Sequence, residues 1–172
     1  MASQQAQKVQ ITKTQLVASV AVMSALIAVL TALSVRIGTL TVFNGGLLGV
    51  YIVSILFGPF IGMLSAGLGS GVAEIYLMSV RGDPPLFLFG LLAPRMPAAA
   101  LIGLLRKRFP IYGIVAGACL QTAIFLVIDI PIFGLGIAAT LLWSLPFNIL
   151  LVIPSYFVIK GVRAKLRRDF LN

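Results

Sequence analysis

The chain has 172 residues, 60% of them hydrophobic and only 10% charged, against roughly 45–50% and about 25% in soluble domains. Its mean hydropathy is +1.11, and its apolar residues suffice for five or six membrane spans of ~20 residues each. A soluble enzyme, a disordered chain and a nucleic-acid-binding domain are thereby excluded. The net charge of +9 reads as membrane flanks rather than a phosphate-binding face.

Residues 1–14 are polar, with Lys8 and Lys13 the only charges. Leu16 to Val35 is uncharged over 20 residues. A signal-peptide core is shorter, roughly 7–15 residues, and precedes polar mature sequence. More membrane-like sequence follows here, so this reads as a first retained span. Asn44-Gly45-Gly46 punctuates, and Leu47 to Phe57 is a short second apolar run ended by Gly58-Pro59. Phe60 to Val80 gives a third span containing Glu74, and Leu86 to Leu105 a fourth containing Pro94, Arg95 and Pro97. Ile111 to Ile130 is a fifth, ended by Asp129 and Pro131. The Gly-rich stretch from Ile132 to Ala139 reads as a connecting loop, and Leu141 to Ile159 as the sixth span.

The expected architecture is therefore an all-α integral membrane protein. A polar N-terminus covers 1–14, a six-helix membrane domain 15–160 and a basic tail 161–172. Charge supplies an independent check on the count. Six spans place Lys8, Lys13, Arg106, Lys107, Arg108, Lys160, Arg163, Lys165, Arg167 and Arg168 on one side of the membrane, and Arg36 and Arg81 on the other. Such asymmetry predicts cytoplasmic N- and C-termini. With no His and one Cys, Cys119, the chain is denied His/Cys metal sites, His-based triads and an intrachain disulfide.

Small residues mark helix contacts. Ala18, Ala21, Ala25, Ala28 and Ala32 cover an arc of about 80° on the first span, and Gly62, Ala66, Gly69 and Ala73 one of roughly 60° on the third. Small residues allow the close backbone approach that joins helices in lipid, where no hydrophobic drive exists. The third-span stripe reads as internal packing. The longer first-span stripe fits either internal packing or docking of another membrane protein.

Polar residues cluster in depth. Under the six-span topology Glu74 lies ~8 Å below the outer end of its span, and Arg95, Asn148 and Gln121 lie ~12–14 Å down. Asp129 and Trp143 sit near the outer rim. Ionisable groups at that depth cost at least ~2.5–3.5 kcal/mol each and face a cavity or one another. The functional reading is a solute pocket open to the outside, built from Glu74, Arg95, Asp129, Trp143 and Asn148. In it Glu74 and Asp129 would pair with a cationic ring or amine, Trp143 would stack on it, and Asn148 would orient it. The bland reading is a Glu74–Arg95 ion pair, a Trp143 interfacial anchor, and Asn148 and Gln121 as interhelical hydrogen bonds.

The order of these features resembles the substrate-binding S components of energy-coupling factor (ECF) vitamin transporters, over essentially the whole chain. The likeness rests on six spans with both termini inside, a short second span leading into Leu56-Phe57-Gly58-Pro59, and a Gly/Ala-rich third span from Gly62 through Gly71. The run Ala21-Val-Met-Ser-Ala25, continued by Ala28 and Ala32, is similar to the family's first-helix motif. The resemblance implies that the first-helix alanines meet a transmembrane coupling subunit driven by two cytoplasmic ATPases. It further implies that solute is held beneath loops 36–44, 80–85 and 130–140. The metal-transporting subgroup uses an N-terminal His, absent here, which argues against nickel or cobalt.

The expected function is therefore capture of a small water-soluble vitamin or precursor at the cell membrane, with no chemistry and no cofactor of its own. The chain lacks a Gly-x-x-x-x-Gly-Lys-Ser/Thr sequence, so ATP hydrolysis would come from the partner. Two alternatives remain. A small oligomeric channel or exporter would need polar residues along the whole pore. A lipid-modifying intramembrane enzyme would need clustered acids, whereas the four here, Glu74, Asp83, Asp129 and Asp169, are dispersed.

Overall fold

The computed structural model describes residues 12–37, 41–82 and 85–169. Within a bilayer every backbone polar group must be satisfied internally, which favours helices. The described residues form seven: α1 (Lys13–Ala32), α2 (Gly46–Phe57), α3 (Pro59–Arg81), α4 (Leu86–Leu105), α5 (Pro110–Phe133), α6 (Gly136–Leu150) and α7 (Val152–Asp169). Between α1 and α2 lies a short antiparallel hairpin of β1 (Val35–Ile37) and β2 (Thr41–Phe43), with Arg36 opposite Val42.

Local chemistry sets the ends. Thr12 and Gln15 form a reciprocal capping box at the start of α1: the Gln15 N–H donates to Thr12 Oγ1 at 3.2 Å, and the Thr12 N–H to Gln15 Oε1 at 3.0 Å. The Asn44 side chain accepts from the Gly46 N–H at 2.9 Å and opens α2. Gly58 turns the chain between α2 and α3 at φ 96°, a conformation that requires glycine, and Pro59 starts α3 where no N–H is needed.

Among the described residues, five helical segments are long and apolar enough to cross a membrane: Lys13–Ala32, Pro59–Arg81, Leu88–Leu105, Pro110–Pro131 and Leu141–Lys165. The last runs across the break at Leu151 that separates α6 from α7. The 12 residues of α2 reach ~18 Å, short of a ~30 Å hydrocarbon core. Large apolar side chains such as Val22, Leu68, Val72, Ile75, Phe89 and Val127 point outward and exposed. That inside-out pattern, on several apolar helices, marks a multi-pass membrane protein.

The helix α3 packs against α1, α2 and α4, and its small residues make this possible. A Cβ added to Gly69 would lie 2.5 Å from the Ser24 carbonyl oxygen and 2.9 Å from Ile27 Cβ on α1. One added to Gly62 would lie 2.6 Å from Ser54 Oγ on α2. Ala66 and Ala73 are buried on the same face. The third-span stripe is thus a packing surface. Two arginines tie the bundle's ends: Arg81 Nη2 donates to the Ser34 carbonyl at 2.9 Å, and Arg106 Nη1 to the Leu56 carbonyl at 3.1 Å.

Two sequence expectations need correction. The helix α5 does not stop at Asp129 but continues through Pro131 to Phe133, because the missing proline N–H frees only the carbonyl of Val127. The expected loop over 132–139 shrinks to Gly134 and Leu135, where Gly134 adopts φ 81°. Within the basic tail α7 carries on past Lys160 to Asp169, since Lys, Arg, Ala and Leu are good helix formers. The polar segment 1–14 lies outside the described residues up to position 11, and α1 begins at Lys13.

Candidate functional site

Arg95, in the middle of α4, is 1% exposed. Its Nη1 donates to Ser70 Oγ on α3 at 2.6 Å and to Thr31 Oγ1 on α1 at 3.3 Å. Glu74 lies one turn beyond Ser70, is also buried, and acts electrostatically on Arg95. Tyr51 of α2, 1% exposed, is a second electrostatic neighbour of the guanidinium. Its hydroxyl donates to the Asn148 carbonyl on α6 at 3.3 Å. Five helices therefore converge on one polar locus inside the bundle.

Pro94 and Pro97 flank the arginine and cannot donate to the carbonyls four residues earlier, Gly90 and Ala93. A Cβ on Gly90 would lie 3.5 Å from Asp129 Oδ1, so the buried Asp129 carboxylate of α5 faces α4 at that level. Gly90 precedes Arg95 by ~7.5 Å along the helix. Gln121 occupies the same face of α5, between Gly117, which abuts Ile102, and Asp129, which abuts Gly90. This register sets Gln121 level with Ala98, ~4.5 Å along the helix from Arg95. Both Arg95 Nε and Gln121 Oε1 are buried with no hydrogen-bond partner among the described residues. Such groups cost about 1–3 kcal/mol each when left unmade.

Sequence-predicted residues thus fare differently. Glu74 and Arg95 are both buried and lie close enough to interact electrostatically. Asp129 joins the same α4–α5 seam nearer the end of the bundle. Asn148 contributes its backbone carbonyl. Trp143 stands apart: it is 67% exposed, with its ring against Phe147 at 6.4 Å, an arrangement suited to a membrane-facing anchor. Thr31, Tyr51 and Ser70 were missed in sequence. Only Ser70, one helical turn before Glu74, carried a periodic signal that would have found it.

The alanine stripe of α1 is not the face that packs inside. Val20, Ser24, Ile27 and Thr31 are the buried residues of α1, and their centre lies about 110° around the helix from that of the alanines. Ala18, Ala21 and Ala25 are exposed, while Ala28 and Ala32 are half-buried. Two surfaces of one helix are therefore separate, one closing the bundle and one open. No family model matches the chain, and neither a curated protein nor a solved structure matches it.

Proposed function

We propose that this protein is the substrate-capture subunit of an ATP-driven, ECF-type importer in the cell membrane. In this reading it has six membrane-embedded helices and both termini in the cytoplasm. It binds a small water-soluble vitamin or precursor in a pocket open to the outside. A transmembrane coupling subunit docks on Ala18, Ala21, Ala25, Ala28 and Ala32, and two cytoplasmic ATPases supply the energy.

The observation that carries the reading is the polar locus around Arg95. A fully buried guanidinium, held by Ser70 and Thr31 and accompanied by Glu74, retains a donor with no partner among the described residues, within about one helical turn of an unmatched amide oxygen on Gln121. A solute offering both an acceptor and a donor would satisfy the two groups, and buried polar groups in a membrane face such a partner or one another. The open alanine face of α1 supports the partner half of the proposal, because small residues are what permits a second membrane helix to approach.

The test is mass spectrometry of small molecules retained by the detergent-purified protein, followed by binding of the species found. The expected result is one stoichiometric vitamin-like solute whose affinity falls about fivefold to fiftyfold in Gln121→Leu, the loss of one net hydrogen bond or more. A purified, folded protein that carries no solute and binds none from a vitamin panel would refute the proposal.

A further inference from the structure

A groove of about 200 Å³ opens between α2, α5 and α7 at the basic end of the bundle. Its walls are apolar: Ile55 from α2, Ile111 and Ile114 from α5, Tyr156 and Ile159 from α7. Its mouth carries Lys160 and Arg163, three residues apart and so on one face of α7. The first turn of α5 begins at the same mouth with Pro110, and its N-cap residue Phe109 offers no side-chain hydrogen bond. Its free N–H groups and the positive end of the helix dipole add to the two cations. None of the described lining residues is acidic.

We infer that this groove holds an anionic phospholipid, with its phosphate on Lys160 and Arg163 and the start of an acyl chain between Ile111, Ile114 and Tyr156. The chemistry favours a lipid over a free anion because the charged mouth continues into an apolar trough. Ile111 and Tyr156 are 45% and 42% exposed along it. Lys160 also closes the apolar run of the last span, which sets the two cations at headgroup level. Cationic pockets between helices recognise acidic headgroups on this principle. Arg106 is engaged elsewhere, on the Leu56 carbonyl, and Lys107 does not line the groove.

The experiment is native mass spectrometry of the detergent-solubilised full chain, titrated with phosphatidylglycerol and with phosphatidylcholine of the same acyl chains. Phosphatidylglycerol should bind the wild-type protein more tightly than phosphatidylcholine. Lys160→Gln and Arg163→Gln should each weaken it about fivefold, and the double variant about 25-fold. Lys107→Gln, the same charge change outside the groove, should leave the affinity unchanged. Each position is exposed, and a melting curve confirms that each variant is folded. Equal losses in Lys107→Gln and Lys160→Gln would reduce the effect to diffuse surface charge and overturn the inference. So would an undiminished affinity in both single variants, equal binding of the two lipids, or displacement of the lipid by inorganic phosphate alone.

Discussion

The polar locus makes Glu74→Gln the most informative substitution. The change preserves volume and an amide able to hydrogen-bond, and it deletes one charge beside a guanidinium that is 1% exposed. Removing one member of a buried pair costs about 3–5 kcal/mol, because the surviving charge stays desolvated. Arg95 keeps its hydrogen bonds to Ser70 and Thr31, which sets the expected loss near the lower end, ~3 kcal/mol. For a chain of this size 1 kcal/mol corresponds to about 2–4 °C, so the melting temperature should fall by ~6–12 °C. Adding Arg95→Met removes the stranded charge and should recover most of the loss, a coupling that a double-mutant cycle reads directly. Thermal unfolding of the solute-free protein in detergent is the assay. If Glu74→Gln melts within ~2 °C of wild type, the carboxylate does not serve Arg95. The sequence-based alternative then stands, in which Glu74 faces a cationic ligand and the same variant costs one to two decades of solute affinity.

Other expected outcomes follow from the packing surfaces. Ala21→Leu or Ala25→Leu adds an isobutyl group to the open face of α1. Either should leave melting and solute binding nearly intact while abolishing co-purification with a coupling subunit; a folding defect instead would make the stripe internal. Gly69→Val would drive its side chain into the Ser24 carbonyl and Ile27 and should lower stability by about 1–3 kcal/mol, as overpacking does; unchanged melting would refute the close α1–α3 approach. A reporter active only in the cytoplasm should work when fused after Asn172 and fail when inserted within 81–84; the reverse pattern would overturn the proposed topology.

Composition and spacing alone determined that the chain is a helical membrane protein. They also located the starts and ends of α2, α3 and α4 within a residue or so, because lipid demands long apolar runs and the intervening Gly-Pro and charged loops stop them. The sequence likewise showed that two small-residue stripes exist. Their different fates, α3's buried and α1's open, were decided only by which neighbours the helices acquire. Proline misled in the C-terminal half: a helix passes through Pro131, since one lost hydrogen bond does not end it. The polar locus was half legible. Charge in an apolar run announces Glu74 and Arg95, but Thr31, Ser70 and Tyr51 are unremarkable in their own segments and matter only because three other helices carry them to α4. Trp143 shows the converse, since helix rotation within the bundle, which depth along a span does not encode, turned its ring outward and away from the site.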